Sequence, residues 1–273
     1  MDRYELYNKA QSLITFLNAD DLPELHTYLA EIMQDDGGID EDPYEVANRM
    51  LLCDKPEPFP EIVLDCIEEL FNDAFEEGNP EAMNDLGAQY YDGSRGFDQD
   101  FTKAVECYKL AAENGSRQAQ ENLGYCYYYG RNMPVDYEKA FHYFALGAFD
   151  GHLISLYKIG DMYLNGYYVE KNPKEAFLIY NRCLDTMTDE AAPTVAGPVF
   201  LRVGNAFLKG LGTEPNPMNA LICFQKAETF LYDMVVKGDI MYKKSLQAAI
   251  DGQAKARAIL AEVLPSNQWT FDG

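Results

Sequence analysis

Carboxylates are the most abundant reactive groups in this chain: 45 Asp and Glu stand against 22 Lys and Arg, a net charge of -23. At that density, two carboxylates close in sequence carry no information about an acid–base pair. The turn Asp35-Asp36-Gly37-Gly38-Ile39-Asp40-Glu41-Asp42 has the acids of a calcium loop without their register. Such a loop needs glycine sixth and glutamate twelfth. With Gly37 sixth, the first ligand falls on Ile32 and the twelfth on Pro43, so the segment reads as a solvated connection. The three histidines, His26, His142 and His152, have no partner at metal-ligand spacing, and H-E-x-x-H is absent. His142, beside the inward face of a helix, reads as structural. Gly210-Leu211-Gly212 terminates a repeat and is no phosphate cradle; there is no nucleophile elbow, P-loop or dinucleotide fingerprint. Catalysis, a bound metal and a cofactor are therefore not expected. Tyrosine is the remaining chemistry: 20 residues, clustered at Tyr90-Tyr91, Tyr127-Tyr128-Tyr129 and Tyr167-Tyr168.

The elements that position these groups come from a fourfold echo. NDLGAQYYDG, ENLGYCYYYG, YKIGDMYLNG and LRVGNAFLKG share one frame. A small residue recurs at Gly87, Gly124, Gly160 and Gly204, an aromatic three residues later, and a second glycine at Gly93, Gly130, Gly166 and Gly210. A second motif follows each: DFTKA, DYEKA, NPKEA and NPMNA, ending at Ala104, Ala140, Ala176 and Ala220, which are 36, 36 and 44 residues apart. A period in this range marks a helical solenoid. Each second glycine stands where a helix stops in the left-handed conformation. Asp100, Asp136, Asn172 and Asn216 follow at helix-start positions, two of them before Pro173 and Pro217. The small residues let two helices approach closely, and the facing helices carry Ala104, Cys107, Tyr108, Ala111 and their equivalents. One hairpin cannot bury such a face alone; a stack can.

On these residues the chain resembles the Sel-one-like repeat (SLR) family, a branch of the tetratricopeptide-like helical solenoids. The pattern A-x-x-x-L-G-x-x-Y-x-x-G, a loop, then D-x-x-K-A is met nearly in full from Ala82 to Gly115, and less fully in later units. The third unit ends in LDTMTDEAAPTVAG, read as a loop insertion, and the fourth has Phe207 and Asn219 where tyrosine and lysine belong. The resemblance implies an all-α, right-handed α/α solenoid of helix–turn–helix repeats. It also implies a non-catalytic adaptor or scaffold that binds a peptide or protein segment in the groove formed by the first helices. By the same resemblance that groove takes Asn84, Tyr91, Glu121, Tyr125, Tyr128, Tyr157, Asp161 and Asn205. Glu121 and Asp161 would then receive a Lys or Arg of a basic partner. Two readings of the off-face tyrosines stay open: packing between units, or lining the groove. A hydrolase using an inter-repeat cleft and a self-assembling homo-oligomer are the alternatives.

Outside the clear repeats the chain reads as further helices of one elongated domain. Residues 1–60 form an acidic cap, 61–232 the repeats, and 233–273 a degenerate pair with a tail carrying Trp269. In the cap, Leu6, Ala10, Leu13, Ile14 and Leu17 make one stripe and Leu22, Leu25, Leu29 and Ile32 another. Asp42-Pro43-Tyr44-Glu45 is a capping box opening a helix to about Leu52, paired with residues 61–78. Met234–Ile250 and Gln253–Leu264 are read as the last pair. Residues 1–80 hold 21 acids against 4 bases, the remainder 24 against 18. Such a field disfavours nucleic acid and anionic membranes. No run of eighteen apolar residues is present, the start lacks a signal-peptide pattern, and the six cysteines follow no pairing rhythm. A reducing cytoplasm is the compartment expected.

Overall fold

A computed structural model describes residues 42–52, 58, 59, 61–189 and 192–263. The two apolar stripes before residue 33, His26, the acidic turn up to Glu41, Cys53 and Trp269 lie outside them. The described residues form eleven α-helices, one 3-10 turn and no strand. They fall into two compact units that part between Asp136 and Tyr137, inside the second repeat, where no shift in composition announces a boundary.

The first unit holds α1 (Pro43–Leu52), α2 (Glu61–Glu76), α3 (Pro80–Asp92), α4 (Phe101–Glu113) and α5 (Arg117–Tyr129). Asp42 opens α1 by accepting the Tyr44 amide at 2.9 Å, and α1 packs on α2 as the capping box implied. Asp100 caps α4 through the Thr102 and Lys103 amides. Asn79 caps α3 and Ser116 caps α5, two caps that the four-site reading did not include. α3 pairs with α4, and α5 packs on both.

The second unit holds α6 (Tyr137–Phe149), α7 (Leu153–Asn165), α8 (Pro173–Thr186), α9 (Ala192–Lys209), α10 (Pro217–Val236), a 3-10 turn (Ile240–Tyr242) and α11 (Lys243–Val263). Asn172 and Asn216 cap α8 and α10, each with proline at the first turn. Neighbouring helices pair in order, and the first helices α7 and α9 also touch.

The repeat frame is as expected. Gly93, Gly130, Gly166 and Gly210 have φ of 65°, 66°, 78° and 68°, a conformation that costs other residues strain. The small positions have aromatic partners. A methyl built on Gly87 would sit 2.8 Å from Tyr108 Cε1, on Gly160 2.6 Å from Tyr180 Cε1, and on Gly204 2.8 Å from Phe224 Cδ1. Each ring occupies the space where a side chain is missing. Tyr180, Phe144 and Phe224 are fully buried, and burying a side chain of this size stabilises by roughly 1.5–3 kcal/mol.

Two expectations are corrected. The insertion after α8 is largely helix, because α9 begins at Ala192 and runs through Pro198 for 18 residues. Val195, Ala196 and Val199 are buried there, and Gly197 lies against Leu231 of α10. That packing outweighs the poor helix propensity of the segment. The last pair is also not a pair. Met234 belongs to α10, and α11 is continuous through Gly252. A methyl on Gly252 would meet Phe224 Cε1 at 2.7 Å, so this glycine provides close approach and breaks nothing.

Candidate functional site

Counted from the core glycine, the position two residues before it is polar in every repeat: Asp85, Asn122, Lys158 and Arg202. Each sits on a first helix, one turn before the position that follows the glycine. In the first unit this column joins a hydrogen-bonded ladder. Tyr44 Oη donates to Asp85 Oδ2 at 2.7 Å, Asn84 Nδ2 to Asp85 Oδ1 at 3.0 Å, and Asn122 Nδ2 to Asn84 Oδ1 at 2.9 Å. The ladder crosses α1, α3 and α5. Burial, the bond to Asp85 and its charge push the Tyr44 phenol up to about 12.

Beyond Asn122 the same face of α5 is aromatic. Tyr125 and Tyr129 are near-parallel at 6.2 Å and 11°. Tyr128 meets Tyr129 edge-on at 4.9 Å. Tyr129 is 48% exposed, whereas Ala119, Leu123, Gly124 and Cys126 of the same helix are buried. Past the helix end, Arg131 lays its guanidinium 5.0 Å from the Phe101 ring centre and 5.7 Å from those of Tyr91 and Tyr129. Its Nε donates to Tyr91 Oη at 3.1 Å. Phe101 and Tyr91 are themselves edge-to-face at 5.2 Å.

The second unit closes its column on itself. Arg202 holds Asp161 with two bonds of 2.6 Å, from Nε and Nη2, and gives Nη1 to the Pro198 carbonyl at 2.9 Å. Tyr180 Oη donates to the same carboxylate at 2.8 Å. The guanidinium lies 4.5 Å over Tyr157. Burial favours the neutral form of Arg202, but the Asp161 charge and bonds outweigh it and hold the cation.

Of the expected groove residues, Tyr91, Tyr125, Tyr128 and Asn205 are half-buried and Asn84, Glu121, Tyr157 and Asp161 are buried. Asn205 Nδ2 bonds back to the Leu201 carbonyl at 2.8 Å. Asp161 already holds the arginine it was expected to take from a partner, because Arg202 lies 41 residues away in sequence but beside it in space. Tyr125 and Tyr128 both meet Tyr129, which with Tyr91 flanks Arg131. Sequence reasoning missed the polar column, although four polar residues at one frame position are visible in the sequence. It missed Arg131 as well.

Other reactive groups are placed for structure. A cleft of about 520 Å³ in the first unit is lined by Glu68, Met83, Leu86, Tyr90, Lys103 and Leu110 among others. Lys103 Nζ donates to Tyr90 Oη at 3.1 Å. Burial first, then a bond to Glu68, raises the Tyr90 phenol far above its ordinary value. Burial likewise pushes the Cys66, Cys107, Cys126 and Cys183 thiols up to about 12. These shifts hold protons on, the opposite of what activates a nucleophile. His142 is exposed, with its ring edge-to-face on Tyr143, and does not face the core. Among the described residues, no group of three His, Cys, Asp or Glu is placed to hold a metal. No described helix is long and apolar enough to cross a membrane.

Residues 80–116, 117–152, 153–182 and 201–228 each match the Sel1 repeat. The chain belongs to the Sel1-repeat family. The matched units run from α3 to the middle of α10, and each is one first helix and one second helix. The mouse (Mus musculus) protein sel-1 homolog 2 is 33% identical over 130 residues, covering 48% of this chain and 19% of that protein. An Arabidopsis thaliana protein named ERAD-associated E3 ubiquitin-protein ligase component HRD3B is 39% identical over 71 residues, covering 26% of this chain and 12% of that protein. The match thus spans at most about a fifth of either relative's length. Among solved structures, the Sel1 repeat protein from Oxalobacter formigenes superposes with a TM-score of 0.56 at 20% identity, covering 77% of this chain and 84% of that one. The fold is that of an all-α helical-repeat solenoid.

Proposed function

We propose that this chain is a non-catalytic protein-interaction module that holds a segment of a partner protein against the first-helix face of its repeats. The observation that carries this reading is the partly exposed face of α5. Asn122, Tyr125 and Tyr129 lie at helical spacing on one side and remain partly open, while the opposite side is buried. Tyrosine offers a broad contact surface and a hydroxyl at little cost in rotamer freedom. A side-chain amide held by a ladder is already oriented to meet a peptide group. Sel1-repeat membership supports the reading, and so does a relative whose name makes it one component of a ligase assembly. The raised thiol and phenol pKa values lend no support to a hydrolase in the first-unit cleft.

The test is affinity capture with the full chain beside an Asn122→Ala/Tyr125→Ala variant whose melting is first shown to be close to the parent's. A partner held by the parent and lost by the variant is the expected result. Equal capture by both would remove this face from consideration.

A further inference from the structure

Resting on that reading, we infer that the open face of α5 ends in a carboxylate receptor. Arg131 takes the acidic side chain of a linear peptide segment, and Tyr129 and Tyr125 seat the apolar or aromatic residue next to it.

The backbone fixes where this arginine stands. Gly130 turns the chain at φ 66°, and the Arg131 amide bonds back to the Cys126 carbonyl at 2.9 Å. Next to it, Asn132 Nδ2 donates to Thr102 Oγ1 at 2.6 Å, pinning the loop to the start of α4. Three rings and the Tyr91 hydroxyl then hold the guanidinium, so little freedom is left to lose on binding. Only Nε is used. The four hydrogens on the two terminal nitrogens meet no acceptor among the described residues, and no described carboxylate pairs with this cation. Arg202 in the second unit, by contrast, has its aspartate. A planar fork of N–H donors matches the two oxygens of a carboxylate.

Charge narrows the occupant. A net charge of -23 repels polyanions over long range, which disfavours nucleic acid. A peptide with one carboxylate suffers little of this and gains the local pair. Ionic strength should therefore show an unusual sign. Salt screens the long-range repulsion more than a stacked, half-buried pair, so affinity holds or rises with salt, where a basic partner would be lost.

The experiment selects a displayed library of random short peptides on the full chain. Enriched peptides are expected to carry Asp or Glu beside an aromatic or aliphatic residue. Synthetic copies should bind Arg131→Gln about tenfold more weakly or worse, bind Arg131→Lys at an intermediate level, and keep their affinity from about 0.05 to 0.5 M salt. Arg131→Lys retains the charge without the fork, and circular dichroism melting of both variants separates loss of binding from loss of fold. Enrichment of basic or uncharged peptides, equal binding by a folded Arg131→Gln, displacement by inorganic phosphate alone, or no enrichment would each overturn the assignment. If Asn122→Ala/Tyr125→Ala loses partner capture while Arg131→Gln keeps it, the interaction face stands and the carboxylate receptor falls.

Discussion

The two units solve one problem with different chemistry. In the later repeats, the pair of residues after the helix-ending glycine makes contact with the start of the preceding second helix. The second of these residues has positive φ throughout: Arg95 59°, Asn132 54°, Tyr168 65° and Gly212 76°. In the first unit Arg131 stacks on Phe101 and Asn132 bonds to Thr102. In the second, Tyr167 stacks on Tyr137 at 4.2 Å and 2°, Tyr168 leans on Phe141, and Gly212 closes against the Pro173 backbone. The polar column differs in the same way. The first unit runs a neutral-to-acidic ladder that ends on the part-exposed Asn122 amide. The second unit seals its charges in an Asp161–Arg202–Tyr180 knot. The repeat specifies where a contact is made and leaves its chemistry free. The proposed binding face lies in the first unit, where Asn122 and Arg131 stay partly exposed.

Alkaline pH should separate the units most. The thiols of buried Cys66 and Cys126 and half-buried Cys107 in the first unit are raised from an ordinary value of 9.0 to about 12, against Cys183 and a raised Cys223 in the second. The unfolded chain releases these protons above about 9 while the folded chain keeps them. Their contribution is full below pH 9 and declines as pH rises from 9 towards 12. Each group costs about 1.4 kcal/mol per pH unit in that window, and Tyr44, raised from 10.0 to about 12, adds to it above pH 10. Limited proteolysis at about pH 10 should cut within residues 61–136 before it cuts within 137–263. Simultaneous cleavage would mean that the thiols are not as deeply held as the geometry indicates.

The knot in the second unit comes next. Arg202→Leu strands the Asp161 carboxylate beside Tyr180 and should cost about 3–5 kcal/mol. Adding Asp161→Leu should return most of that loss, since a well-packed apolar pair is often as stable as a buried ion pair. Urea unfolding of the single and double variants measures both. The matching change in the first unit, Asn122→Leu, should cost far less, because the ladder is only partly buried.

Glycine substitutions probe the frame at about 1–3 kcal/mol. Gly87→Ala pushes a methyl against the Tyr108 ring, which can tilt. Gly212→Ala pushes one into the Pro173 carbonyl at a positive φ, where nothing can yield. Gly212→Ala should be the more damaging by melting temperature, and the reverse order would show that the second-unit clasp is looser than described.

Much of the frame was legible because glycine has few reasons to recur. Gly93 and Gly166 needed only the rule for helix ends, and Gly87 and Gly160 only the absence of a side chain opposite Tyr108 and Tyr180. The extent of α9 was not legible. Pro193, Gly197 and Pro198 are poor helix formers, and only the face that α10 presents to Val195 and Val199 holds them in a helix. Gly252 misled for the same reason: its partner is the Phe224 ring, 28 residues away. At the site, the resemblance pointed to the first helices and so to Tyr125 and Tyr128. It could not distinguish an acid that is open from one already paired, and Asp161 shows why. A polar residue at one repeat position finds its counter-charge in the next repeat, a pairing that follows from stacking and from no local pattern.

The smallest effect should come from the clasps themselves. A double-mutant cycle on Tyr137→Leu and Tyr167→Leu isolates the ring stack from the burial of either ring, and a coupling of about 0.5–1.5 kcal/mol is expected. The corresponding cycle in the first unit pairs Phe101→Leu with Arg131→Gln, with an expected coupling of about 0.5–1 kcal/mol for a partly exposed cation over a ring. The two respond differently to ligand. The Tyr137–Tyr167 stack has its partners within the fold, so its coupling should not change when a peptide is bound to the first unit. Arg131 is shared between Phe101 and the proposed carboxylate. A bound carboxylate draws on the same guanidinium charge as the Phe101 ring and should change the first-unit coupling while leaving the second-unit value as it was. Equal changes in both, or none in either, would show that Arg131 is only a clasp.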